Sequence, residues 1–243
     1  MRILLWDIDG TLTRSSGAGG RALARAVAAS PAAVTVLSNM RLDGMTDFKI
    51  ARALCAARRH TASPDTPLEE CARQVTHTEM QSVLDAYVQI LTDSLTPTQG
   101  YDLHPGVIEI LDLFTARGTF IHALGTGNLE RGARIKLMRH DLWNRFAFGG
   151  FGSDAEERVD ILRAAWKRAE VHTQKTLKAA DFVVIGDTPR DVSAAHELGI
   201  ACVGVGTGRF STAELSHNGA DDALENLLVP DAAQRIASAR HTA

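Results

Sequence analysis

Four short runs of consecutive apolar residues constrain the fold of this chain more than any other feature: Ile3 to Trp6, Phe120 to Leu124, Phe182 to Ile185 and Ala201 to Val205. A strand with one wet face alternates apolar and polar residues, whereas an unbroken apolar run needs cover on both faces. Three of the runs are separated by amphipathic segments. Such alternation marks βαβ units and predicts an α/β fold with a doubly wound, Rossmann-like parallel sheet.

Between Thr13 and about Gly100 the strand signal gives way to helical spacing. Arg21 to Ala29 is alanine-rich, Thr46 can cap a helix running to about His60, and Pro67 stands near the start of a helix reaching about Asp93. In that last segment Leu68, Cys71, Ala72, Val75, Val83, Leu84, Tyr87 and Leu91 follow three-and-four spacing, as for one buried face. The pattern predicts an α-helical cap over residues 15–97, inserted into a core of residues 1–14 and 98–243. Ser15-Ser16-Gly17 with Gly19-Gly20, and Leu95 to Gly100, have the composition of hinges.

The 243 residues allow a sizeable core plus an insertion. A net charge of -3 with 5% aromatic residues gives no basic stripe with interleaved aromatics, so a small-molecule partner is favoured over nucleic acid. Cys55, Cys71 and Cys202 are odd in number and lack a CxxC pattern, which argues against a disulfide framework or a zinc site and for a reducing compartment. No apolar run approaches the roughly 20 residues of a membrane span. A soluble, cytoplasmic protein is expected. The nine histidines, His196, His217 and His241 among them, show no metal-ligand spacing along the chain, and none is assigned a catalytic role.

Chemistry concentrates where the apolar runs end. The first run leads into Asp7-Ile8-Asp9-Gly10-Thr11, two carboxylates at a Gly-Thr bend, a costly place for charge unless chemistry or a metal uses it. The second leads into Gly125-Thr126-Gly127-Asn128 and then a helix, where a hydroxyl and glycine N–H groups suit a phosphate. The third leads into Gly186-Asp187-Thr188-Pro189-Arg190-Asp191, a carboxylate just beyond the apolar run and a second four residues later, where N-capping of the next helix explains Asp191 but not Asp187. Arg158 and Lys167 are the competing cations of the helix before that run: Arg158 heads it with a fork that can hold an anion, and Lys167 lies in line with Asp160 and Arg163 as on a solvated face.

These motifs, in this order, resemble those of the haloacid dehalogenase-like hydrolase superfamily, and the inserted cap resembles its phosphoglycolate phosphatase-like branch. The resemblance spans essentially the whole chain and is strongest over residues 4–11 and 182–191. It implies a phosphatase acting on a small phosphorylated metabolite, with Asp7 as nucleophile forming an aspartyl-phosphate and Asp9 as acid and base. It also implies Mg²⁺ held by the Asp7 carboxylate, the Asp9 backbone carbonyl and Asp187, with Asp191 nearby, and phosphate contacts from Thr126, Gly127 and Arg158. The family's usual lysine is replaced at that last position by Arg158. In the cap, Asp43 to Lys49 is the candidate specificity segment, through Thr46, Asp47 and Lys49; capping by Thr46 and solvent exposure of Lys49 are the plainer alternatives. A phosphomutase would share Asp7 and Asp9, a phosphonate hydrolase would use Lys49 for a Schiff base, and an inactive scaffold would bind metal without turnover. The chain gives no indication of its oligomeric state.

Overall fold

The computed structural model describes residues 1–14, 17–94 and 102–241. Its strands are β1 (Arg2–Trp6), β2 (Thr13–Arg14), β3 (Asp102–Leu103), β4 (Phe120–Gly125), β5 (Gly149–Gly150), β6 (Phe182–Gly186), β7 (Ala201–Val205) and β8 (Asp222–Leu224). Six of them form one parallel sheet in the order β5-β4-β1-β6-β7-β8, and β2 and β3 make a small antiparallel ribbon. The doubly wound α/β core is therefore present, with β1 at its centre, Leu5 facing Ala123 on one side and Val184 on the other.

Both faces of the sheet are covered, which explains the unbroken apolar runs. Leu4, Trp6, Val183, Ile185 and Val203 pack against α6 (Val107–Arg117), α7 (Glu130–Met138) and α11 (Ala232–Ser238). Ile3, Leu5, Ala123, Val184 and Cys202 point the other way, onto α8 (Arg158–Thr173) and α9 (Pro189–Glu197). Between β7 and β8 runs α10 (Thr212–His217). The Trp6 indole N–H donates to His122 Nδ1 at 3.1 Å, and His122 Nε2 meets the Leu111 carbonyl at 3.2 Å. His122 is thus a satisfied core histidine, its protonation disfavoured by burial.

The segment between β2 and β3 is helical, as its spacing predicts: α1 (Ala18–Ala26), α2 (Pro31–Asn39), α3 (Asp47–Ala62), α4 (Leu68–Gln74) and α5 (His77–Ser94). These helices close around an apolar cluster of their own, including Leu23, Leu54, Leu84, Tyr87 and Leu91, joined by Leu129 from the core. The single helix expected from Pro67 to Asp93 is two. Thr76 and Glu79 start α5 with a reciprocal cap, the Thr76 N–H and hydroxyl donating to Glu79 at 2.8 and 2.7 Å and the Glu79 N–H to Thr76 Oγ1 at 3.3 Å. Leu68, placed by spacing on the buried face, is exposed on α4. Gly19 and Gly20, read as hinge residues, lie in α1, and the hinge residues Ser15, Ser16 and Leu95 to Gly100 lie outside the described residues. No helix among the described residues is long and apolar enough to cross a membrane.

Candidate active site

The strand ends Asp7, Gly125 and Gly186 lie side by side because β4, β1 and β6 are adjacent and parallel. Loops leaving the C-terminal ends of such a sheet form a crevice where ligands bind. After β1 the chain turns tightly, with the Leu12 and Thr13 N–H groups both donating to the Ile8 carbonyl at 2.9 and 2.8 Å. Gly10 makes this turn possible: its φ is 87°, and a Cβ there would stand 2.2 Å from Asp187 Oδ2. Gly10→Ala combines backbone strain with displacement of Asp187, and is expected to lower the urea-unfolding free energy by about 2 kcal/mol or more. A loss below about 0.5 kcal/mol would show that the turn tolerates a side chain.

Three buried carboxylates, Asp7, Asp187 and Asp191, bring one oxygen each within 4.8 Å of one another. Asp187 Oδ1 accepts from the Thr11 hydroxyl at 3.2 Å. Asp191 divides its two oxygens between structure and site. Oδ2 accepts from the Thr188 N–H and hydroxyl at 3.0 and 2.8 Å, capping α9, while Oδ1 faces Arg158 Nη2 at 2.5 Å without an aligned hydrogen bond. Arg158 Nη2 also lies 2.7 Å from Asp7 Oδ2. Lys167, the alternative cation, is exposed on α8.

Charge is out of balance here. Burial, reinforced by Asp191 and opposed by Arg158, pushes the Asp7 carboxyl up to about 6. Burial, with Asp191 and Asp7 adding to it, pushes Asp187 well above the carboxylate range. Burial alone would lower Arg158, and the surrounding carboxylates more than reverse it. Three acids against one guanidinium leave the place for a hard divalent cation, and the all-oxygen donor set with the unaligned Asp191 Oδ1 fits one.

A second cation is present that the sequence reading did not select. Lys136 of α7 is buried, its side chain 3% exposed, and its ammonium is in contact with Asp9 Oδ2 and Asn128 Oδ1. Asn128 Nδ2 donates to the same Asp9 oxygen at 2.9 Å and to Thr126 Oγ1 at 2.9 Å. The available signal was a charged residue on an apolar stripe: Lys136 is in register with Leu129, Ala133 and Leu137, all buried.

A cavity of about 420 Å³ opens over these groups, lined by Asp7, Asp9, Asn128, Lys136, Arg158 and Asp187 from the core and by Leu23, Asp47, Ile50 and Tyr87 from the helices above. Thr126 and Gly127 do not line it. Thr126 is fully buried beneath Asn128, and Gly127 meets the helical layer, where a Cβ would be 2.6 Å from the Met45 carbonyl.

Asp47 joins the two parts: its N–H donates to the Gly127 carbonyl and its Oδ2 accepts the Leu129 N–H at the start of α7, both at 2.8 Å. Thr46 and Lys49 face a different cleft. Thr46 donates to the Glu156 carbonyl at 2.7 Å while capping α3 through the Lys49 N–H at 3.3 Å, and the Lys49 ammonium is 2.7 Å from Glu157.

Burial, opposed by Lys136 and the Leu129 N–H, pushes Asp47 up to about 6. An unfolded Asp titrates near pH ~4, so the folded chain binds more protons between ~4 and 6 and stability falls as pH rises through that window. Asp47→Asn keeps an acceptor for Leu129 and removes the buried charge. It is expected to raise stability above pH ~6 by about 1–3 kcal/mol and to flatten that limb, read from urea midpoints between pH ~4 and ~8. Destabilisation at pH ~7.5 would instead mean that Asp47 is ionised against Lys136 and contributes stability as a pair.

Residues 159–231 match a family model described as HAD-hydrolase-like. No curated protein matches the sequence. Among solved structures, a hydrolase from Pseudomonas syringae superposes with a TM-score of 0.69 at 22% identity, covering 94% of this chain and 95% of that one. A predicted phosphatase from Clostridium acetobutylicum gives 0.67 at 18%, covering 93% and 94%, and a predicted phosphoglycolate phosphatase from Haemophilus somnus gives 0.65 at 17%, covering 93% and 95%. At these identities the structural likeness speaks for the fold, while the family-model match begins at Val159, just after Arg158, and takes in Asp187, Asp191 and strands β6 to β8. With the strand-end acids drawn into one crevice, residues 159–231 of this chain are similar to the HAD-hydrolase-like family, and the whole chain shares the fold of the hydrolase and phosphatases named above.

Proposed function

We propose that this protein is a Mg²⁺-dependent phosphatase that hydrolyses a small phosphomonoester through an aspartyl-phosphate on Asp7. The observation that carries the reading is the placement of Asp7 at the floor of the cavity, 2.7 Å from Arg158 and grouped with Asp187 and Asp191. Asp7 and Asp187, with the Asp9 backbone carbonyl and Asp191 nearby, would hold the metal. When bound, Mg²⁺ supplies the positive charge that lets these acids ionise together and polarises a phosphoryl oxygen.

The chain's own residues divide the remaining work. Asp7 attacks phosphorus as the ester oxygen departs, and Asp9 gives that oxygen its proton, then takes one from the water that cleaves the acyl-phosphate. Arg158 and Lys136 offset charge on the phosphoryl oxygens. Thr126 acts through Asn128, whose amide it orients towards Asp9, and Gly127 through the close seating of the helices on the core.

Residues 15–97 serve as the cap, with Asp47 among its polar groups lining the cavity, while Thr46 and Lys49 hold it to Glu156 and Glu157. The lysine that a Schiff-base phosphonate hydrolase would need is engaged outside the cavity. Three free, buried cysteines suit a reducing cytoplasm.

The test is phosphate release from a panel of small phosphomonoesters with Mg²⁺ and with EDTA. Release that EDTA stops and added Mg²⁺ restores is the expected result. Isomerised sugar phosphate without free phosphate would make the protein a mutase, and silence on every compound would overturn catalysis.

A further inference from the structure

At the far end of α9 from Asp191, three side chains distant in sequence meet. His196 lies in the last turn of α9, Asp221 immediately precedes β8, and His241 follows α11. His196 Nε2 is 2.9 Å from Asp221 Oδ2, and His241 Nδ1 is 3.0 Å from Asp221 Oδ1. The two imidazoles stack with centroids 4.0 Å apart and planes 27° apart, so both present an edge nitrogen to the same carboxylate. One donor atom from each residue lies within 4.8 Å of the others.

The carboxylate is fixed before any ligand arrives, because Asp221 Oδ2 also accepts the Cys202 N–H at 2.8 Å. Side-chain exposures of 24%, 9% and 18% leave the group sheltered yet within reach of solvent. Two imidazole nitrogens and one carboxylate form the donor set of a borderline cation. The catalytic acids offer oxygen alone.

We infer that His196, Asp221 and His241 form a second metal site, selective for a Zn²⁺-type cation over Mg²⁺, that staples the segment after α11 to α9 and to the entry of β8. Histidine spacing along the chain gives no hint of it, since the ligands are 25 and 20 positions apart and only the sheet order brings them together.

The test uses the full chain without a histidine tag, stripped by chelator and then saturated with Mg²⁺. Zn²⁺ titration calorimetry is expected to show one site per chain, weakened about 100-fold or more in His196→Gln and in His241→Gln. Cu²⁺ bound in place of Zn²⁺ is expected to show electron-spin coupling to two nitrogens in the parent and to one in either variant. Circular dichroism checks that each variant is folded, and His241→Gln, outside regular structure, carries the test alone if His196→Gln is not. No stoichiometric Zn²⁺ binding would overturn the inference, as would binding that both variants retain or that only Asp187→Asn removes. The three residues would then be a hydrogen-bonded clamp.

Discussion

Asp7→Asn is expected to reduce phosphate release by about 10⁴-fold or more while the protein stays folded. The amide matches the carboxylate in size, so the position at the end of β1 is kept, but it is no nucleophile towards phosphorus. Folding should survive because Asp7 is itself a buried acid held up at about 6, and Arg158 keeps Asp191 as a partner after the change. Rapid quench with substrate labelled in the phosphoryl group separates chemistry from binding. Label should appear transiently on the parent protein and never on the variant. Residual turnover within about tenfold of the parent would remove Asp7 from the nucleophile's role.

Lys136→Met should cost about 10²–10³ in kcat, the usual effect of deleting one preorganised donor at a site of developing charge. Methionine replaces the buried stem of the lysine and fills its volume, so lost rate reports the ammonium rather than a hole in the core. That ammonium contacts Asp9 and Asn128 together, which ties Asp9 to the turn after β4. In Lys136→Ala the space left can admit a small alkylammonium ion, and partial recovery with methylammonium is expected. A loss under about threefold, or no recovery in a variant shown to bind metal and substrate normally, would reduce Lys136 to a structural counter-ion for Asp9 and Asp47.

Comparison of particular elements shows which features were legible in the sequence. The four apolar runs were readable as strands because burial on both faces demands apolar side chains at every position. The strands β5 and β8 were not, since Gly149–Gly150 and Asp222–Leu224 are too short to carry a pattern. The Thr76–Glu79 capping pair marks the break between α4 and α5, which the apolar pattern hides because Val83 resumes the helical register of Val75 eight residues on. Among the expected site residues, Asp7, Asp9, Asp187 and Arg158 border the cavity, while Thr46 and Lys49 turn to the neighbouring cleft.

Residues adjacent in the chain carried the fold class, the helical insertion and the strand-end acids, because a charge that directly follows a buried strand advertises itself by its cost. Lys136 beside Asp9, the joint between Asp47 and Gly127, and the cluster of His196, Asp221 and His241 came from tertiary structure alone. Each depends on how a helix is rotated on the sheet or on which strands are neighbours. Those relations are set by packing across many residues and leave no local mark on the chain.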